Sequence, residues 1–295
     1  MRVLFTSLGA VALIAMLGSP HGATDATPTL AATDDATARP VAPFLGVGER
    51  TFAEGARLSL ESLASAPQTQ MDGIPREFYF ARLAYNGFGG FYGGGRSWRT
   101  DFPKADQIFL SFIDRLLPNL DAYEREFVMQ AHNPDVRRFP LLYALEVGRM
   151  SLIPAEILGL RNFLLAGGFL IIDDFWGTQE WEQFEYQIRQ VLPDHEIVDM
   201  DITHPIFTTF YQIDEIIQVP NVGQGERGGP TYERDGFIPQ VKGIYDENGR
   251  LMVIINWNTD LGDAWEWADN PYYPLKYSTY AYEMGVNFIV YAMSH

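Results

Sequence analysis

A short, continuous apolar run in the middle of the chain constrains the fold most. The run FLIID, Phe169–Asp173, follows a Gly-Gly pair and lies between two segments with apolar residues at helical spacing. A strand without a polar face has to be covered on both sides, which is typical of a parallel sheet with helices on both faces. The run therefore predicts an α/β fold.

Other segments extend this pattern. Strands are predicted at Glu77–Tyr85, Phe139–Leu145 and Glu196–Met200, and helices at 154–166 and 279–293. Two further apolar runs flank the turn 246–249 and predict a β-hairpin. The alternation predicts a doubly wound, mainly parallel α/β sheet with an added antiparallel hairpin.

The amino-terminal residues predict export. Residues 1–23 combine a basic start, an apolar run and a stretch of small residues, the layout of a secretory signal, although an uncleaved membrane anchor is the alternative. Residues 24–45 are predicted to be a disordered linker. Residues 46–72, with some apolar residues at helical spacing, are predicted to be an N-terminal extension, and residues 73–295 are predicted to be the folded domain. We expect the domain to be periplasmic or extracellular.

Composition excludes several classes of function. The chain contains no cysteine, which removes disulfides, thiolate zinc sites, iron–sulfur clusters, a cysteine nucleophile and a lipid-bearing cysteine. The net charge of −17 argues against nucleic acid and anionic membranes as partners. We expect a small polar ligand or an envelope protein as the partner, no membrane contact beyond a possible N-terminal anchor, and no cofactor.

The first candidate site is the pair Asp173 and Asp174 at the end of the apolar run. Ligands of open parallel sheets bind beyond the carboxyl ends of the strands, where burial shifts carboxylate pKa values. Adjacent strand residues point to opposite faces, so we expect only one of the two carboxylates to face the crevice. The alternative is that both are structural. His204, before a proline in an extended loop, is the third catalytic candidate, although a structural role is open for it too.

Asp101 has a simpler interpretation. It precedes Phe102 and Pro103 at the start of a predicted helix, so it is interpreted as the N-cap of that helix, with a catalytic acid as the alternative.

The loop 256–266 is the second candidate site. Its Asp260 and Asp263 are weak candidates for holding a hard cation, although turn formation explains the same residues. Aromatic residues in the loops could stack on a sugar. The predicted ligand-binding residues are Arg82, Tyr85, Trp98, Trp176, Asn258, Asp260 and Trp265. Phosphate-binding, serine-hydrolase and HExxH motifs are absent from the sequence.

Several motifs resemble a known family. They are FYFARLAYNG (78–87), WRTDFPKAD (98–106), FPLLYALE (139–146), LRNFLLAGGFLIIDDFWG (160–177), ITHPIF (202–207), NTDLGDAWE (258–266) and GVNFIVYAMSH (285–295). In order and spacing they resemble the bacterial family DUF4159. The resemblance implies a flavodoxin-like domain similar to the class I glutamine amidotransferase and ThuA-like group. That group's nucleophilic cysteine and His-x-Glu are missing here, so only the scaffold carries over.

Three hypotheses about function follow. The first is a module that binds a polar, carbohydrate-like ligand or a protein partner. The second is a hydrolase that uses Asp173 or Asp174 for acid–base chemistry, with a possible divalent cation. The third is an envelope scaffold. Convergence of Asp173 or Asp174 with His204 and Asp260 would favour this hydrolase, whereas a wide separation would contradict it.

Overall fold

A computed structural model describes residues 75–88 and 97–295. The predicted signal (1–23), linker (24–45) and extension (46–72) lie outside these residues. Within the described part, no helix has both the length and the apolar character needed to span a bilayer.

Seven strands form one sheet in the order β2-β1-β3-β4-β7-β6-β5. Their bounds are β1 Ala81–Ala84, β2 Phe127–Gln130, β3 Leu141–Leu145, β4 Phe169–Asp173, β5 Ile197–Asp199, β6 Gln240–Tyr245 and β7 Leu251–Trp257. The five strands from β2 to β7 in this order pair in parallel, whereas β6 is antiparallel to both of its neighbours. The parallel part has the strand order of flavodoxin-like domains. The predicted α/β class and the β6–β7 hairpin are therefore confirmed.

The helices of the described part cover both faces of the sheet. They are α1 Lys104–Leu116, α2 Pro154–Leu165, α3 Gly177–Val191, α4 Val222–Arg227, α5 Leu261–Glu266 and α6 Leu275–Ser294. Apolar residues of α2 and α3, such as Phe163 and Phe184, belong to the core on one face. Phe109, Trp265 and Phe288, from α1, α5 and α6, belong to the core on the other face. The sheet is therefore doubly wound.

Strand β2 differs from the sequence-based prediction, whereas helix α2 agrees with it. Strand β2 is not predicted, because its four residues alternate between buried and half-buried at the sheet edge and give no apolar run. Helix α2 ends as predicted, because Gly167 adopts φ 110°, a conformation that costs other residues energy.

Candidate functional site

Three aspartates from three different loops meet at the carboxyl ends of the parallel strands, which we call the carboxyl edge of the sheet. Asp101 precedes α1, Asp174 follows β4, and Asp260 follows β7. One carboxylate oxygen of each lies within 4.8 Å of the other two. We call Asp101, Asp174 and Asp260 the acidic cluster. Parallel strands place their carboxyl ends at one edge, which is why residues so distant in sequence come together.

Asp101 does not cap helix α1 with its side chain. The N-cap residue is Pro103, without a side-chain cap, and Asp101 contributes only its backbone carbonyl, which accepts from the Ala105 amide at 2.9 Å. The N-cap interpretation is therefore wrong. Asp101 has φ 62°, and its buried Oδ2 atom has no hydrogen-bond partner among the described residues. Left-handed backbone at a non-glycine residue is strained, and here it directs a carboxylate into the cluster.

Arg82 holds the segment that leads to Asp101. Its Nε lies 2.9 Å from Oδ2 of Asp106, and its Nη1 donates to the carbonyls of Trp98 and Thr100. Arg82 and Asp106 are completely buried. A buried ion pair with additional hydrogen bonds is stable only in a well-defined geometry. Arg82, predicted to bind ligand, is thus fully engaged in positioning the loop.

Asp174 is the member of the acidic cluster that β4 supplies. It is buried, has φ 44°, and its Oδ1 accepts from the Trp176 indole nitrogen at 2.9 Å. Burial raises the pKa of Asp174 well above its usual range, and the charges of Glu146 and Asp101 raise it further. A carboxylate in this setting favours a proton or a cation.

Asp173, directly before it, has a different environment. Its carboxylate accepts from the Tyr143 hydroxyl at 2.7 Å and from the amides of Gly262 and Leu261 at 3.0 and 3.3 Å. Burial raises the pKa of Asp173 to about 6, while these hydrogen bonds lower it. The structure thus separates the predicted pair, with Asp174 in the cluster and Asp173 tied to the start of α5.

Asp260 and Asp263 lie at the start of α5. Asp260 is the N-cap, and its Oδ1 accepts from the Asp263 amide at 2.8 Å. Burial raises the pKa of Asp260 well above its usual range, and the charges of Asp174 and Asp263 add to this. Asp263 is in a second close group with Asp101 and Glu266.

Positive charge is scarce around the acidic cluster. The guanidinium of Arg82 is engaged by Asp106. The ammonium of Lys104 lies over the Trp267 ring, 3.5 Å from its centroid. Burial raises the pKa of Asp263 and of Glu266, and the charge of Lys104 offsets only part of this increase. Burial raises the pKa of Asp101 well above its usual range, and the Asp263 charge raises it further. The three clustered carboxylates therefore face one another without a matching fixed cation.

Tyr85 and Asn258, both predicted to bind ligand, make structural contacts. The Tyr85 hydroxyl donates to the backbone carbonyls of Leu145 and Glu146 at the end of β3. The Asn258 Oδ1 accepts from the Gly177 amide at 2.8 Å, which fixes the start of α3. Both side chains are buried and stabilise the loops around the cluster.

The predicted aromatic binding residues are enclosed by the protein. Trp98 is 1% exposed, and Trp176 and Trp265 are 0% exposed. The indole of Trp265 donates to the Ala281 carbonyl at 2.9 Å. None of the three rings presents a free face, so this placement does not support stacking of a sugar on them.

His204 lies far from the acidic cluster. Its ring contacts Tyr245, which pairs with Leu251 at the amino end of β7, and its Nδ1 accepts from the Ile206 amide. The carboxyl end of β7, where Asp260 follows, is at the other edge of the sheet. His204 therefore does not converge with the aspartates, because the chain turns back after β5 and brings His204 beside the amino end of β7. This separation contradicts a hydrolase in which His204 takes part.

Sequence reasoning preferred a helix cap to a catalytic acid for Asp101 and so left it out of the candidate site residues. One signal could have pointed to it: an acid follows a predicted first strand and a Gly-rich loop, which in an open α/β sheet is the binding edge. Its left-handed backbone, however, cannot be read from the sequence.

Comparison with known proteins gives a family. No curated protein sequence matches the chain significantly. The sequence profile described as "Domain of unknown function (DUF4159)" matches residues 79–293, which include the whole sheet and the acidic cluster. The chain belongs to the DUF4159 family.

Proposed function

We propose that the chain binds a divalent cation in the acidic cluster and uses it to hydrolyse a polar substrate. The observation that carries the proposal is the convergence of Asp101, Asp174 and Asp260 from three loops, with oxygens within 4.8 Å of one another. Asp101 adds a buried oxygen without a hydrogen-bond partner among the described residues. Such an oxygen is costly unless something coordinates it.

The donor atoms favour a hard cation. Both groups of close metal-ligating side chains in the described residues consist of aspartate and glutamate alone. Carboxylate oxygens suit Mg²⁺, Mn²⁺ and Ca²⁺, whereas zinc sites normally include histidine or cysteine. Three carboxylates leave coordination positions for water and substrate. A cation there would supply a polarised water or a Lewis acid for hydrolysis.

Cation binding is tested first. Thermal unfolding of the metal-free protein is measured with Mg²⁺, Mn²⁺ and Ca²⁺, and calorimetry gives the affinities. A cation at 100 times its Kd is expected to stabilise the fold by about 2.7 kcal/mol. Asp101→Asn, Asp174→Asn and Asp260→Asn are expected to lose this shift. Asp114→Asn, on the exposed side of α1, is the matched control. Shifts that persist in all three variants would refute the site.

Turnover is tested second. The metal-loaded protein is assayed against phosphate-ester, carboxylic-ester and glycoside substrates, with Asp174→Asn as the inactive control. Cation binding without turnover on any substrate would favour the other candidate, a module that binds a polar ligand or an envelope protein. The absence of histidine from the close carboxylate groups favours that candidate.

The setting proposed for this activity is outside the cytoplasm. The support is the layout of residues 1–23. Mass spectrometry of the mature amino terminus, together with carbonate extraction of membranes, distinguishes a cleaved signal from an anchor. A protein that keeps Met1 and stays in the cytosolic fraction contradicts export.

A further inference from the structure

An apolar groove lies near the amino ends of the parallel strands, whereas the acidic cluster lies at their carboxyl ends. It has a volume of about 370 Å³ and runs between the ends of α1 and α6. Its apolar lining includes Leu116, Leu117, Leu120, Phe210, Ile289 and Met293. Phe210 and Met293 are 52% and 42% exposed, so the groove presents neighbouring apolar side chains to solvent, which is typical of an interaction site.

The described part of the chain begins beside this groove. The Glu77 amide donates to the Asp121 carbonyl at 3.0 Å, and Arg76 pairs with the Asp121 side chain at 2.8 Å. Asp121 directly follows Leu120 of the groove. Glu77 also lines a neighbouring recess that shares Met293 with the groove. Residues before 75 therefore join the domain at the groove's rim.

The sequence before this point has the chemistry to fill an apolar groove. Phe52, Ala56, Leu60 and Leu63 follow one another at intervals of four, four and three residues, which predicts one apolar stripe of a helix. Residues 64–74 reach up to roughly 35 Å when extended, so the stripe can lie on the groove without strain.

We propose that residues 52–63 dock in this groove as an amphipathic helix, with Phe52, Leu60 and Leu63 against its apolar lining. An amphipathic helix that lays its apolar face in a groove is a common recognition mode. The inference does not depend on the proposed function, because the groove and the acidic cluster lie at opposite edges of the sheet.

Disulfide trapping in the full chain tests the docking, since the absence of native cysteine leaves no background. The variant Leu63→Cys with Met293→Cys is compared with Ser62→Cys with Met293→Cys, because position 62 lies off the stripe. The expected result is a disulfide within one chain that forms about tenfold faster in the first variant. Equal rates overturn the proposal. A disulfide that forms only between chains shows that a second copy occupies the groove and also overturns it.

Limited proteolysis is the second measurement, and it introduces no cross-link. Leu63→Glu is compared with Ser62→Glu, and trypsin cleavage is followed at Arg57. Undocking is expected to speed cleavage about tenfold in the first variant alone, because cleavage requires local opening. Equal cleavage in both variants and the unsubstituted chain contradicts the docked helix.

Discussion

Two kinds of buried carboxylate lie near the carboxyl edge of this sheet, and their surroundings differ. Asp106 and Asp173 each have their own fixed donors, a guanidinium in one case and a hydroxyl with two amides in the other. Asp101, Asp174 and Asp260 instead face one another. Asp174 accepts from the Trp176 indole and Asp260 from the Asp263 amide, but Oδ2 of Asp101 has no hydrogen-bond partner among the described residues. A cation or several fixed donors make a buried acid part of the scaffold, whereas buried acids that face one another need a mobile counter-charge, either a proton or a cation.

The largest effect is expected from removal of a fixed donor. Arg82→Met leaves the carboxylate of Asp106 buried and unpaired, and the free energy of unfolding should fall by about 3–5 kcal/mol. Denaturant unfolding measures the loss. The double variant with Asp106→Leu should recover part of it, because the unpaired charge is gone. A loss under about 1 kcal/mol in the single variant would contradict the structural role of the pair.

A change of pH should reveal the raised carboxyl pKa values. The pKa of Asp173 is 3.8 when unperturbed and about 6 in the fold. Between these values the folded state binds more protons than the unfolded state, so the free energy of unfolding falls as pH rises from about 4 to 6. For Asp173 the expected decrease is about 3 kcal/mol. The acidic cluster acts in the same direction.

The measurement is a series of denaturant curves on metal-free protein. Asp101→Asn should flatten the decrease, because it removes one of the facing charges, whereas Asp114→Asn should leave it unchanged. Saturating Mg²⁺ or Mn²⁺ at high pH should restore stability. An increase in stability over this pH range would show that fixed donors dominate the cluster after all.

A smaller effect is expected from crowding the acidic cluster. A Cβ atom at Gly262 would lie 2.8 Å from the Tyr143 hydroxyl and 3.2 Å from Oδ2 of Asp101. Gly262→Ala should therefore weaken cation binding about tenfold, as measured by calorimetry, with a modest loss of stability. Gly223→Ala is the control, because its nearest neighbour is the flexible end of Arg227. Unchanged affinity would mean that the cation does not use Asp101.

The smallest effect is expected at the surface. Arg189 pairs with Glu185 at 2.6 Å on α3, with about half of its side chain exposed. Arg189→Ala should reduce the free energy of unfolding by about 0.5 kcal/mol or less, because water screens such pairs. A loss comparable to that of Arg82→Met would break the distinction between buried and exposed partners.

Local patterns were enough to predict most of the fold. The run Phe169–Asp173 is a strand with the predicted bounds, and the turn 246–249 joins the predicted hairpin. Apolar periodicity and turn residues are visible within a short stretch of sequence, and they are enough to predict a strand, a helix or a turn. Strand β2 escaped prediction because pairing at a sheet edge, rather than its own pattern, makes it a strand.

The composition of the candidate site could be predicted from the sequence to a much smaller extent than the fold, because it depends on tertiary structure. The sequence determined that the chain has no cysteine chemistry, an acidic character and aspartates at the ends of its strands. Only the fold decided that Asp174 joins Asp101 and Asp260, that Asp173 is tied to α5, and that His204 lies elsewhere. It also decided that the rings of the three candidate tryptophans are buried. The physical reason is that strand order and left-handed backbone at single residues set where a side chain points. Both arise from packing across the whole sheet rather than from the residues beside it in sequence.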